Sequence, residues 1–272
     1  MAVDPNLLII GIDAEWVHIP DTDDNQILSY QYYGMSSAGN WSEVIYPTGP
    51  YKKDRMKLVA LIGKAIEKGR EQKLLPHKWP LKVYIAAHFA RAILSAFADF
   101  NKLKSQFDSV RKTYSSITDT LKKTYIDKSN NSHPLELTLI DTMLISPNGA
   151  SLASLGELHK VQKVILPIGV IERMDLLLQE NPELFESYGI RDAEISAKHA
   201  WYMAEFVSEH LNQDNPPTTL GTLAINHFLS LLMETETGLN LLLGKELITE
   251  TKWNSRLGHN VTNKRKSVPT DL

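Results

Sequence analysis

Hydrophobic and polar positions follow one another along this chain in patterns that predict strands in its first half and helices in its second. Residues 6–13 are nearly all apolar and end at Asp13, which is typical of a strand buried on both faces. Apolar residues at helical spacing predict a helix over 54–68 that ends at Gly69. The remaining predictions are strands at 27–34, 43–46, 81–87 and 135–140, and helices at 90–103, 151–160, 170–180, 192–211 and 219–234.

The order of these elements predicts an α/β fold with a mixed central sheet flanked by helices. The first three strands follow one another closely enough to form an antiparallel meander, and parallel strands are expected to join it. We predict one domain over 1–235 and a C-terminal extension or linker over 236–272. The Lys- and Ser-rich segment 104–134 is expected to be an insertion, either a long loop or a helical hairpin.

Composition limits the chemistry that this fold can support. The 272 residues carry a net charge of −3, so a nucleic-acid ligand would need local basic patches. The chain contains no cysteine, which excludes disulfides and thiolate metal sites and favours hard cations such as Mg²⁺ or Mn²⁺. The N-terminus does not show a signal-peptide pattern, and no apolar run reaches the roughly 18 residues of a membrane span. We therefore expect a cytoplasmic protein that does not bind a membrane.

An Asp-x-Glu pair, Asp13 and Glu15, closes the first predicted strand. Residues two apart on a strand point to the same face, so the two carboxylates would project together. They repel each other unless a cation lies between them, and a buried strand should not end in two charges without a cause. The pair predicts a metal site, although an Asp-x-Glu at a strand end is also common by chance.

A second pair, Tyr188 and Asp192, lies four residues apart at the start of the helix predicted over 192–211. If that helix begins just before Tyr188, both side chains lie on one face, one turn apart. Asp192 would then join the carboxylates of the first pair while the Tyr188 hydroxyl faces an attacking water. In the alternative interpretation, Tyr188 is a core aromatic residue and Asp192 is an N-cap or first-turn residue that favours the helix dipole.

In their order and spacing these motifs resemble those of the DEDD superfamily of 3′–5′ exonucleases, in the subgroup with tyrosine in the third motif. The closest likeness is to the proofreading exonuclease domains of phage, plasmid and organellar family B DNA polymerases. The resemblance covers roughly residues 7–230 and implies a ribonuclease H-like fold. The segments that carry it, besides Asp13-Ala14-Glu15, are 87–92, 139–142, 151–156, 188–195 and 217–224.

The resemblance implies hydrolysis of a phosphodiester bond with two Mg²⁺ or Mn²⁺ ions. Asp13 would bridge both ions, and Glu15 and Asp192 would complete the first site. Tyr188 would orient or help to activate the attacking water. These four residues are therefore the expected catalytic residues, and the three carboxylates among them are the expected metal ligands.

The resemblance also implies the substrate and its contacts. The nucleotide at the 3′ end would lie near Trp16 of the first motif and near His88 and Phe89 of the second. The expected partner is single-stranded DNA or a frayed DNA 3′ end, and a DNA polymerase is a further candidate. An action on RNA remains an open alternative.

The second motif departs from the family pattern at position 93. The family has an Asp five residues after His88, where it helps to hold the second metal, and this chain has Ile93. Asp99 lies six residues further along the same predicted helix, well off the required face, so we do not expect it to substitute. We expect the first metal site to remain and the second to be weakened or absent. The alternative is a degenerate domain that binds nucleic acid or a polymerase without cutting.

Three further features permit more than one interpretation. Seven basic residues between Lys102 and Lys128, interleaved with Tyr114 and Tyr125, would either follow a nucleic-acid backbone or, as we favour, form a solvated helical surface. Asp141 ends a predicted strand and is expected to cap the next turn. The histidines are expected to be surface or core residues, because none shows metal-ligand spacing with another; they are His18, His159, His199 and His227.

Overall fold

The structure is a computed structural model of the 272-residue chain. After residue 233 it describes only the backbone of four short strands. The residues described in full are 4, 6–22, 24–76, 78–80, 82–213 and 215–232.

A six-stranded sheet forms the centre of the fold, in the order β3-β2-β1-β4-β8-β7. The first three strands pair antiparallel as a meander, β4 lies parallel to β1 and to β8, and β7 pairs antiparallel with β8 at the far edge. The bounds are β1 Ile9–His18, β2 Asn25–Ser36, β3 Gly39–Ile45, β4 Lys82–Ala87, β7 Leu121–Ile126 and β8 Ser132–Asp141. Between β4 and β7, the short strands β5 (Asp108–Val110) and β6 (Thr113–Ser115) form a separate hairpin.

Helices flank this sheet, and the longest of them is α6, whose 30 residues follow an N-cap at Asn181. The Asn181 side chain accepts a hydrogen bond from the backbone N–H of Leu184, which satisfies one of the free donors at the start of the helix. The bounds are α1 Leu58–Glu71, α2 Ala90–Ser95, α3 Phe100–Leu103, α4 Leu152–Leu158, α5 Met174–Glu180 and α6 Pro182–Leu211. A further helix, α7 Leu220–Met233, belongs almost entirely to a second compact unit.

Strand alternation in β1 assigns its residues to two different layers. Ile10, Ile12 and Ala14 point into the main core, which α1 and α2 cover from the other side. The intervening residues of β1 point to the opposite face, where α6 packs. This alternation brings Asp13 and Glu15 to the side of the sheet that carries α6.

The α/β fold with a mixed sheet and flanking helices is confirmed, and the arrangement is consistent with a ribonuclease H-like fold. The prediction for 104–134 is wrong, because this segment contains β5, β6, β7 and the start of β8 instead of a long loop or helical hairpin. Its Leu121 is buried while Lys122 is exposed, an alternation typical of an edge strand. The prediction that the basic residues of this segment form a solvated helical surface is wrong for the same reason. The helix predicted at 90–103 is interrupted and forms α2 and α3.

The chain divides into two compact units, 1–220 and 221–272. In the second unit the backbone of β10 (Thr251–Asn254) pairs with β11 (His259–Thr262), and that of β9 (Lys245–Ile248) pairs with β12 (Lys266–Pro269). Much of the predicted extension 236–272 lies outside the described residues, and the boundary at 235 stays a prediction. Within the part of the chain that the structure describes, none of the helices is both long and apolar enough to cross a membrane.

Candidate active site

Three carboxylates face one another where the middle of β1 packs against α6, since β1 continues past the predicted strand end at Asp13 to His18. Asp13 and Glu15 lie on β1 directly opposite Gln31 and Ser29 of β2, and a register shift follows between Glu15 and Trp16. Asp192 approaches from α6 and is buried. The predicted pairing of the first motif with the third is therefore present in the fold, since Asp13 and Glu15 each interact electrostatically with Asp192.

Two glycines allow α6 to approach the sheet this closely. A Cβ atom on Gly11 would lie 2.1 Å from the backbone oxygen of Ala193, and one on Gly189 would lie 2.6 Å from the Gln31 side chain. Neither distance is possible between real atoms. A larger residue at Gly11 would therefore force the helix away, and one at Gly189 would displace either the buried Gln31 side chain or the helix. Gly189 lies between Tyr188 and Asp192, and its small size therefore determines how near the third motif comes to Asp13.

The environment of the three carboxylates favours the binding of a proton or a cation. Burial raises the pKa of Asp13 well above its usual range, and the negative charge of Asp192 raises it further. Burial raises the pKa of Glu15 in the same way, with additional contributions from Asp13 and Asp192. Three negative charges in a low-dielectric site repel one another, so a bound cation would relieve a cost that the metal-free fold carries.

A lysine that the sequence did not reveal completes the group. Lys163, in the loop after α4, forms an ion pair with Asp192, and its ammonium nitrogen lies 4.6 Å from the centre of the Tyr188 ring. Burial lowers the pKa of Lys163, but Asp192 and Tyr188 outweigh burial and the net shift is upward. Its positive charge in turn lowers the pKa values of Asp13 and Glu15. The sequence signal was weak, because Lys163 stands next to Gln162 in an otherwise apolar stretch over 161–166.

Tyr188 takes part both in the site and in a satellite core. Its ring packs with residues that include Leu28, Met174 and Phe185, as the alternative interpretation expects of a core aromatic. Its hydroxyl also forms a hydrogen bond with Lys163. Burial raises the pKa of Tyr188, and the charge of Asp192 raises it further, so the hydroxyl keeps its proton at neutral pH. The N-cap alternative for Asp192 is wrong, because α6 begins ten residues earlier at Pro182.

The chemistry of these donors suits a hard cation, but the side chains do not yet form a complete metal site. One oxygen of Asp192, Oδ1, is buried without a hydrogen-bond partner, and Oδ2 is engaged by Lys163. Among the residues that the structure describes, no three acidic or histidine side chains are arranged to hold a metal ion. The oxygen donors of Asp13, Glu15 and Asp192 are of the type that Mg²⁺ and Mn²⁺ prefer, provided that the ion pair between Lys163 and Asp192 breaks.

The second motif contributes a turn and no carboxylate. The Nδ1 atom of His88 lies 2.8 Å from the Thr142 hydroxyl, and Phe89 is 42% exposed with a left-handed backbone, φ 57°. Ile93 is only 4% exposed and belongs to the main core. Asp99 accepts a hydrogen bond from the backbone N–H of Leu58 at 3.2 Å, so it caps α1.

The remaining predicted positions fall as follows. Trp16 is partly buried and packs against the main core. Asp141 is fully buried and accepts a hydrogen bond from the backbone N–H of Met143, which confirms its predicted capping of the next turn. It also accepts hydrogen bonds from the backbone at the start of α2, which the sequence did not predict. His199 is buried, with its Nδ1 3.0 Å from Nε2 of His159 and its Nε2 2.9 Å from the Ser146 hydroxyl.

Comparison with known proteins adds a relative. The chain is 31% identical over 265 residues to a protein named primer-independent DNA polymerase PolB from Escherichia coli. The match covers 90% of this chain but spans about 30% of the length of that curated relative. No family model matches the chain. The similarity connects the chain to a DNA polymerase B protein.

Proposed function

We propose that this protein is a metal-dependent 3′–5′ exonuclease domain that acts on DNA 3′ ends by phosphodiester hydrolysis. The observation that carries the proposal is the grouping of Asp13, Glu15 and Asp192 with Tyr188 and Lys163 between β1 and α6. The similarity to a protein named as a DNA polymerase supports DNA, rather than RNA, as the substrate.

In this mechanism the three carboxylates would hold one divalent cation. When bound, Mg²⁺ or Mn²⁺ stabilises negative charge on the attacking and leaving oxygens. Tyr188 would act as a hydrogen-bond donor, because its raised pKa keeps the hydroxyl protonated, and it would orient the attacking water or a phosphate oxygen. Lys163 stays charged and, once released from Asp192, would face the scissile phosphate.

A second metal ion is not favoured here. The side chain at the position of the missing acid, Ile93, lies in the main core and provides no oxygen. The nearby acids do not replace it, since Asp141 and Asp99 already accept backbone hydrogen bonds at helix starts. The proposed enzyme would therefore work with one metal ion, bound by Asp13, Glu15 and Asp192 once Lys163 has released Asp192, and with a low turnover.

A second candidate function is a domain that binds a DNA 3′ end, or a DNA polymerase, without cleaving DNA. Two observations favour it: Ile93 in place of a metal-ligand acid, and the ion pair that Lys163 forms with Asp192 where a cation would bind. Four retained residues of the proposed catalytic set argue against it, because a domain without catalysis has little reason to keep them. They are Asp13, Glu15, Tyr188 and Asp192.

The decisive experiment follows the shortening of a 5′-labelled single-stranded oligonucleotide with Mg²⁺, with Mn²⁺ and with EDTA. We expect a slow ladder of 3′-shortened products that requires the metal and disappears in Asp13→Ala. Asp108→Ala serves as the matched control, because Asp108 is a half-buried acid at the start of β5 that accepts hydrogen bonds from the backbone of Ile117 and Thr118 and from the Thr118 hydroxyl. Tight DNA binding without any ladder would refute the exonuclease and support the binding domain.

A further inference from the structure

The turn of the second motif carries a strained aromatic residue. Phe89 has φ 57° and ψ 59°, a left-handed conformation that a bulky side chain rarely adopts without support. Its ring is nevertheless 42% exposed, so packing of the ring does not account for the strain. Something else must hold the backbone in this shape.

Asp141 supplies that support from the end of β8. Its carboxylate accepts hydrogen bonds from the backbone N–H of Phe89 at 3.2 Å and of Ala90 at 2.7 Å, on the two residues that form the turn. It also accepts from the hydroxyl of Thr113 at 2.5 Å and from the backbone N–H of Met143 at 2.9 Å. A fully buried carboxylate with four donors around it is fixed in place, and it fixes the turn in return.

The neighbouring strands reinforce the same turn. Thr113, from β6 in the 104–134 segment, also accepts a hydrogen bond from the backbone N–H of Arg91 at 3.2 Å. Thr142, the residue after Asp141, holds the ring of His88 through its hydroxyl. Four consecutive residues of the second motif, 88–91, are thus held by side chains from β6 and the end of β8.

We propose that Asp141 is a positioning residue: it holds the turn that keeps the Phe89 ring in solvent, at the place where the resemblance puts the 3′-terminal nucleotide, so that the ring can stack on the terminal base of single-stranded DNA. The inference rests on the proposed function, because it takes a DNA 3′ end as the ligand. Every base has a flat face that stacks on an aromatic ring, so such a platform would not depend on sequence. Ile93 provides no metal ligand in this motif. The contribution that the motif can still make to the site is therefore the binding of the DNA 3′ end.

The test measures binding rather than cleavage. A single-stranded oligonucleotide with 2-aminopurine as its 3′-terminal base is titrated with the full chain in EDTA, and the fluorescence of the base reports its stacking. We expect Phe89→Ala to weaken binding about tenfold and to abolish the fluorescence change. Asp141→Asn should do the same, because its amide NH₂ cannot accept from both backbone donors.

A double-mutant cycle separates positioning from general destabilisation. If Asp141 acts through Phe89, the double variant binds no more weakly than Phe89→Ala alone, whereas independent effects would multiply to about a hundredfold loss. Asp108→Asn is the matched control, since it removes a carboxylate that also accepts two backbone N–H bonds, at Ile117 and Thr118. This control should lower the melting temperature without changing the fluorescence.

Each outcome has a distinct meaning. Multiplicative losses, or unchanged binding by Asp141→Asn, would overturn the positioning role while leaving the proposed exonuclease intact. A wild-type chain that does not bind the oligonucleotide would overturn the proposed function itself. If Asp141→Asn does not fold, Thr113→Val removes one of the four donors from the carboxylate and decides the question, with a smaller loss expected in the wild-type background and none in Phe89→Ala.

Discussion

At the scale of single residues, the site combines groups that repel one another with one that neutralises them. Asp13 and Glu15 destabilise each other and Asp192 in the metal-free fold, and Lys163 offsets a part of that cost. The residues that we propose as metal ligands are therefore residues that the fold itself would be more stable without.

Asp13→Asn should stabilise the metal-free protein at neutral pH. The folded pKa of Asp13 is raised, so its contribution to stability is complete below the unfolded pKa of about 3.9 and is lost as pH rises through the folded value. Each unit of elevation corresponds to about 1.4 kcal/mol. Thermal melts in EDTA should show a gain at about pH 7.5 that shrinks toward about pH 4.

Asp108→Asn is the control, and it should change the stability at neutral pH in the opposite direction. Hydrogen bonds from the backbone N–H of Thr118, and then that of Ile117, lower the pKa of Asp108 below its usual range. This variant should therefore lose stability at neutral pH. A gain in both variants would mean that removing any acid from this chain is stabilising, and that the position of Asp13 is irrelevant.

Lys163→Met should increase the affinity for a divalent cation while lowering any exonuclease activity. Methionine fills a similar volume but removes the ammonium that engages Asp192. Mn²⁺ binding, measured by calorimetry, should tighten severalfold, whereas Lys102→Met on the exposed surface should not change it. Weaker Mn²⁺ binding in Lys163→Met would show that the ammonium does not compete with the metal.

Ile93→Asp tests whether the second metal site can be restored. The substitution places a carboxylate in the main core, so we expect a loss of about 2–4 kcal/mol in the free energy of unfolding without metal. If a second metal site then forms, Mg²⁺ should recover a part of this loss and raise activity. Ile93→Asn is the matched control, and an equal response to Mg²⁺ in both variants would argue against a restored site.

At the scale of elements, the contact between β1 and α6 determines the site. The strand presents its carboxylates toward the helix, and Gly11 and Gly189 set the distance between them. A separate contact joins α4 to α6, where His159 at the end of α4 bonds to His199. Both contacts have measurable consequences.

Gly189→Ala should displace α6 and impair the site more than the fold. The new methyl group would overlap the Gln31 side chain, and such overpacking costs about 1–3 kcal/mol. Metal-dependent activity should fall by more than the melting temperature suggests, because Tyr188 and Asp192 move with the helix. The double variant Gly189→Ala with Gln31→Ala makes room for the methyl group, and a failure to recover activity would contradict this explanation.

The contact between α4 and α6 should weaken in mild acid. Burial, followed by the charges of His159 and His88, lowers the pKa of His199 to about 4. The unfolded chain therefore takes up a proton that the folded chain does not, and stability is lost as pH falls from about 6.5 toward 4, by up to about 3 kcal/mol. His199→Gln should flatten this dependence in urea melts, while a change at the exposed His210 should leave it in place.

At the scale of the whole molecule, the proposed site lies within the unit 1–220, which also contains the complete six-stranded sheet. The similarity to PolB covers 90% of the chain and about 30% of that protein, so the unit has its counterpart in a much longer polymerase. A unit with its own sheet and core has what it needs to fold independently.

A chain that ends at Leu220 should therefore keep a cooperative thermal transition and the metal response of the full chain. The hydrogen bond between the backbone N–H of Leu220 and the backbone oxygen of Leu144 belongs to this unit and would be retained. Calorimetry on both chains tests this expectation. A truncated chain that melts without a transition would show that residues 221–272 are needed for folding.

The sequence by itself determined the elements whose signal is local. Apolar runs and helical spacing predicted β1, β2, β4 and α1, because burial imposes those periods on any chain of this kind. The Asp-x-Glu and Tyr-x-x-x-Asp pairs followed from the same periods, since residues two apart on a strand, or four apart on a helix, share a face. The strand β7 was missed because lysines at its exposed positions look like those of a loop.

Only the tertiary structure brought in the groups that act across the chain. Lys163 reaches Asp192 from a loop 29 residues away, and Asp141 holds Phe89 across 52 residues. It also decided that Ile93 lies in the core and that two glycines set the approach of α6. No local pattern encodes such contacts, because they depend on which strand ends and helix faces the folded sheet places side by side.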